Sequence, residues 1–155
     1  MTDRTFYRLA LPASISPRAF HVAVAAFWGD PWTPDEIRSA LTTGPDRQTG
    51  TFNIDMDEHP TGAARQLADT ILGALDRARY RISFAVAEDP YVDLGTLVRY
   101  QPGRGIHETP CGGGAEPLLT ATRAAALLAT APNPSAATAQ LRAELGLDWD
   151  TPRVY

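Results

Sequence analysis

The chain has 155 residues, 44% hydrophobic and 21% charged, which suits one domain, or one domain with an appendage, that folds on its own apolar core without a metal or a disulfide. All 14 basic side chains are arginine, which excludes Schiff-base chemistry, a pyridoxal anchor and a phosphate loop of the GxxxxGKS/T type, because each needs a lysine amine at a fixed place. With 18 acidic residues the formal net charge is −4 at pH 7, so nothing draws nucleic acid or anionic lipid from a distance, although a local basic patch stays open.

Thr5 to Leu11 alternates Phe6, Arg8 and Ala10 against Tyr7, Leu9 and Leu11, the period of two that marks a strand with a buried face. Pro12 turns the chain. From Pro17 to Trp28 two patterns compete. Phe20, Val22, Val24, Ala26 and Trp28 alternate as in a strand, while Phe20, Val24, Phe27 and Trp28 make one helical stripe. Ser16 as cap, Pro17 in the first turn and Gly29 past the end favour the helix. Thr33, Pro34 and Glu36 form a capping-box start for a second helix through Leu41, closed by Gly44.

After a polar turn from Pro45 to Gly50, Thr51 to Asp57 reads as a strand, with Phe52, Ile54 and Met56 on one face and Asn53, Asp55 and Asp57 on the other. From Thr61 as cap, Ala64, Leu67, Ala68, Ile71, Leu72, Leu75 and Ala78 recur at helical spacing over about five turns. Tyr80 to Val86 follows with almost no loop, Tyr80, Ile82, Phe84 and Val86 on one face and Arg81 and Ser83 on the other. Strand, helix and strand in this order predict a right-handed crossover, with room left open for a third strand between the two.

Leu94 to Tyr100 and Ile106 to Thr109 form a further strand pair joined through Gln101 to Gly105. Cys111 and the run Gly112 to Gly114 then change the composition, placing a boundary near Gly113. Two alanine-rich helices, Pro117 to Ala129 and Pro134 to Leu145, close the chain as a helical hairpin stopped by Gly146. The expectation is an α+β fold: a small mixed sheet of about four strands with helices on one face, over residues 1–112, then a helical hairpin and tail, 113–155, packed on it or on a partner.

Cys111 is the only cysteine and no long apolar run occurs, so the chain is expected in the cytoplasm, without a membrane span. The abundance of Ala, Arg, Gly and Pro favours codon bias over selection as the reason for the missing lysine.

Two polar groups are candidates for chemistry. Asp55, Asp57, Glu58 and His59 stand at a strand exit, where carboxylates with an imidazole suit a hard cation or general acid/base work. A solvated strand face carries the same residues, and Arg81 is an available ion-pair partner. His107, Glu108 and Cys111 form the second group. With His59 they supply zinc-type ligands, but no CxxC or HxxxH spacing supports a local site. Cys111 activated by His107, beside glycine amides, is a nucleophile candidate, and a plain linker has the same composition. No strand feeds a GxGxxG turn, so nucleotide binding is set aside. His21, between Phe20 and Val22, reads as a core histidine.

The terminal hairpin resembles two helices of a helix-turn-helix in outline, which would turn Ser135, Thr138 and Arg142 to DNA bases. Its second helix carries only Arg142 against Glu144, with Asp148 and Asp150 beyond, a poor balance for phosphate contacts. Trp28, Trp32, Trp149 and Tyr155 are rigid aromatics suited to anchor a protein partner. These observations favour a non-catalytic binding or assembly module that engages another protein or itself through a sheet edge and the aromatic tail, with no cofactor. A DNA-binding regulator and a metal-assisted hydrolase are the alternatives.

Overall fold

In the computed structural model, which describes residues 4–88 and 95–154, five strands make one sheet in the order β2-β1-β3-β4-β5. They are β1 (Arg4–Pro12), β2 (Thr51–Pro60), β3 (Phe84–Glu88), β4 (Gly95–Gln101) and β5 (Gly105–Cys111). The fold is α+β as expected, with one strand more than anticipated and every neighbouring pair antiparallel. Because β2 and β3 both run against β1, the crossover between them skips one position, and β1 fills it.

The sheet has two buried faces of different character. On one, Tyr7, Leu9 and Leu11 of β1, Phe52, Ile54 and Met56 of β2, Phe84 and Val86 of β3 and Val98 of β4 pack against helices α1 (Pro17–Trp28) and α3 (Ala64–Arg77). These are the large alternating residues, and their burial supplies most of the apolar driving force. On the far face the central strands present Ala10, Ala85 and Ala87, over which Leu97, Cys111, Ala115 and Val154 close a second, smaller core. Small side chains there let an extended segment approach the sheet closely.

The competition over residues 17–28 resolves as helix. Ser16 Oγ accepts from Ala19 N, and Gly29, at φ 83°, donates to Ala25 O, so both ends carry the caps that a strand could not use. Helix α2 (Pro34–Thr43) has the expected capping box: Thr33 Oγ1 accepts from Glu36 N at 3.2 Å and Glu36 Oε1 from Thr33 N at 3.1 Å.

Helix α3 departs from expectation at both ends. Thr61 does not cap it; Ala63 holds the cap position and offers no side-chain acceptor. The two amides that lead into it are met from the sheet instead. Ala63 N donates to Tyr7 Oη at 2.9 Å, and Gly62 N to Glu88 Oε1 at 2.7 Å. Tyr7 Oη in turn donates to Pro60 O at 2.6 Å. A buried carboxylate at a helix start also suits the positive end of the helix dipole. Burial, with the Glu88 charge beside it, pushes the Tyr7 phenol up to about 12.

At the other end Arg79 adopts φ 63° and Tyr80 N reaches back to Leu75 O at 2.9 Å, a Schellman-type closure. That closure occupies the residues expected to open the next strand. Residues 81–83 lead from the helix to the sheet, so β3 starts at Phe84 rather than Tyr80.

Helices α4 (Ala121–Thr130) and α5 (Pro134–Leu145) form the terminal hairpin. The first begins four residues later than expected, because Thr120 is its cap, accepting from Arg123 N at 3.1 Å. Pro117 instead bridges to Cys111 at the β5 edge. Among the described residues no helix is long and apolar enough to cross a membrane.

Replacing Tyr7 by Phe strands the Ala63 amide and the Pro60 carbonyl without replacing either partner. Urea unfolding should show a loss of about 1–3 kcal/mol; a change within about 0.5 kcal/mol, the range of an ordinary surface substitution, would show that this bridge does not anchor α3.

Candidate functional site

The two candidate polar groups lie on opposite edges of the sheet. Asp55, Asp57, Glu58 and His59 belong to β2, while His107, Glu108 and Cys111 belong to β5. Three strands intervene, which at the usual inter-strand spacing is about 19 Å. Among the described residues no three His, Cys, Asp or Glu side chains gather as a metal would require.

Within the β2 group the residues also diverge. Arg8 of β1, not Arg81, takes Asp55, through both Nε and Nη2. One extra residue in β2 opposite the step from Thr5 to Tyr7, with Glu58 at φ 50°, makes a bulge that inverts the alternation. His59 therefore joins the helix-covered face and sets its ring edge-on to Tyr7, centroids 5.5 Å apart. Arg81 and Asp57 are exposed. His21 is half-buried in a groove of the helix layer rather than in the core.

On β5, Cys111 is fully buried in the far-face core. His107 engages other groups. Its Nδ1 lies 3.2 Å from Arg99 Nη2 and its Nε2 is 3.1 Å from Ala143 O, so the neutral tautomer with hydrogen on Nε2 satisfies both contacts. Glu108 pairs with Arg65 of α3 at 3.6 Å. The nucleophile arrangement is thus not assembled by these contacts.

Arg99 is the residue that sequence reasoning missed. It is 8% exposed. Its Nη1 donates to Gly146 O at 3.0 Å and its Nη2 to Leu145 O at 2.6 Å, closing the C-terminus of α5. A cation suits that negative helix end. Its Nε is buried without an acceptor among the described residues, and burial lowers its pKa from the ordinary guanidinium value. Gly146 sits at φ 66°, and a Cβ there would collide with Arg99 Nη2 and His107 Cε1. The glycine was visible as a helix stop; its partner, 47 residues earlier, carried no local signal.

The tail is fastened from the same corner. Arg104 lies over the Trp149 ring at 4.6 Å and donates to Asp148 O, Gln101 Oε1 accepts from Asp150 N, and Thr51 Oγ1 donates to Arg153 O. Trp149 is therefore engaged by its own chain, and Tyr155 lies outside the described residues. Ser135, Thr138 and Arg142 share an exposed face of α5, where Arg142 pairs with Asp148 at 2.7 Å.

A groove of about 580 Å³ borders the edge strand β2. Phe20, Trp32 and Phe52 line it together with Ala40 and the turn from Thr43 to Arg47. The rings hold one another edge-on, Phe20 to Phe52 at 5.2 Å and Phe20 to Trp32 at 6.2 Å, with Trp28 a further 6.2 Å from Trp32 and 43% exposed. The turn is pre-formed. Asp46 Oδ1 accepts from Gln48 N and Thr49 N, and Asp46 N donates to Thr51 O at 2.8 Å. An aromatic floor, a rigid wall and an edge strand provide apolar contact and main-chain register, and no acid/base pair.

Against known proteins, the chain matches no family model, no curated protein and no solved structure.

Two outcomes follow from the Arg99 corner. Gly146→Ala meets both a left-handed backbone and a collision, and thermal unfolding should place its loss above about 1 kcal/mol. The second concerns pH. Burial first, then Arg99, holds His107 below the usual histidine range. Between the ordinary value of about 6.5 and that lower one, the unfolded chain binds the extra proton, so stability is full above about pH 6.5 and falls as pH drops. His107→Gln, which keeps a donor and an acceptor, should flatten that slope in chemical unfolding from pH 7.5 to 5; an unchanged slope would refute the assignment.

Proposed function

We propose that this protein is a non-catalytic binding module that takes an extended segment of another protein, or of a second copy, along the edge of β2. The observation that carries this reading is the aromatic groove beside an edge strand. A segment laid there gains main-chain pairing from β2 and seats alternate side chains against Phe20, Trp32 and Phe52. Trp28 adds an exposed aromatic at the rim.

The rest of β2 supports the same reading by contrast. Asp55, Asp57 and Glu58 are exposed, and the bulge follows at Asp57 and Glu58, the devices by which natural sheets keep an edge from pairing indiscriminately. The groove borders the half that precedes them, where the Asp46 turn already pairs with Thr51 O and the strand beyond Thr51 faces the segment. The polar side chains capable of chemistry are dispersed over two edges, which speaks for contact rather than catalysis as the task. On this reading residues 1–112 form the binding domain, 113–155 an appended hairpin and tail, and the protein works in the cytoplasm.

Phage display of random extended peptides on the immobilised protein tests the proposal. Enriched sequences should carry bulky apolar residues at every second position, and Ala40→Glu, which places a charge in the groove, should weaken them at least tenfold, about 1.4 kcal/mol. A protein that enriches nothing, stays monomeric over a dilution series in native mass spectrometry and retains no partner from its own cytoplasm would overturn it.

A further inference from the structure

A second groove, of about 690 Å³, lies in the helix layer between α1 and α3. Its lining is mostly aliphatic, with Val22, Ala25, Ala26, Ala74 and Ala78 beside His21, Thr70 and Tyr80. Its charged lining is cationic: Arg18 and Arg77 border it and no carboxylate does. In a chain whose net charge is −4 such a one-signed rim is unusual.

The arginines of this region are also uncommitted. Arg18, Arg77, Arg79 and Arg81 are exposed, and none forms an ion pair with a carboxylate among the described residues. Of the ten other arginines six, Arg8, Arg38, Arg65, Arg123, Arg142 and Arg153, face an Asp or Glu, and Arg4, Arg99 and Arg104 donate to backbone carbonyls. Three of the free cations stand in the five residues from Arg77 to Arg81, on either side of Tyr80.

We infer that this groove docks an acidic amphipathic helix of another protein, its aliphatic side chains on the aliphatic lining and its carboxylates against Arg18, Arg77 and the arginines beside Tyr80. The chemistry selects this occupant. An aliphatic patch between two helices receives leucine-like side chains at helical spacing, whereas single-stranded nucleic acid stacks its bases on aromatic faces, and here those are limited to Tyr80 and the His21 imidazole. Charge complementarity on the rim sets orientation and the rate of encounter, and contact with the aliphatic lining supplies affinity. The site is separate from the β2 groove and does not depend on it.

The probe is a fluorescein-labelled peptide of about 15 residues, long enough to hold a helix, with leucines at i, i+4 spacing and glutamates on the flanking positions. Fluorescence anisotropy should show binding that weakens when the glutamates become glutamine, and also when salt rises from about 0.05 M to about 0.5 M. Arg18→Glu/Arg77→Glu should lose at least about fivefold, and Arg18→Gln/Arg77→Gln less, as solvent-exposed pairs allow. Circular dichroism confirms that the variants fold, and amide chemical shifts on titration should move in α1 and α3. No binding, equal binding by the double reversal, or shifts confined to β2 would overturn the inference. So would anionic vesicles or single-stranded DNA binding through the same arginines while the peptide does not.

Discussion

A guanidinium buried without a carboxylate fixes how the second half of this molecule meets the first. Taking a charge out of water costs several kcal/mol unless other groups replace the water. For Arg99 the replacements are the carbonyls of Leu145 and Gly146 at the end of α5 and the imidazole of His107. Its Nε is left without an acceptor among the described residues. The terminal hairpin is thus the counter-group of a buried cation, which ties its position to the register of β4.

From that contact the division of labour across the sheet follows. With α5 held at Arg99, the chain after Gly146 runs along the end of the sheet, from Trp149 and Asp150 near the β4–β5 turn to Arg153 beside Thr51 of β2. Val154, the next residue, completes the alanine-lined core. Over Ala10, Ala85 and Ala87 the far face is covered by its own chain, and the near face is covered by α1 and α3. On the proposed reading partners meet the margin: the groove along β2 and the outer side of the helix layer.

The elements legible in the sequence are those set by neighbours in the chain. The period of two in Thr5 to Leu11, the capping box at Thr33 and the terminal glycines at Gly29 and Gly146 each depend on residues within a turn or two of one another, and each stands in the structure. What was not legible depends on distant partners. Nothing near Ala63 reveals that Tyr7 and Glu88 will cover the start of α3, and Thr61 looks like a cap until they do. The bulge at Glu58 inverts the facing of His59, which a strict alternation cannot anticipate. The same limit applied to the site. Trp28 and Trp32 were legible as candidate anchors, but the groove beside them arises from α2, the Asp46 turn and β2 meeting in space.

Hydrogen exchange followed by mass spectrometry on Arg99→Met tests the dependence on Arg99 most directly. The account predicts that amides in 143–150 lose protection against the parent protein, while those of β1, α1 and α3 keep theirs, because the near-face core does not rest on the hairpin. Unchanged protection in 143–150, or a loss spread evenly over the whole chain, would contradict it.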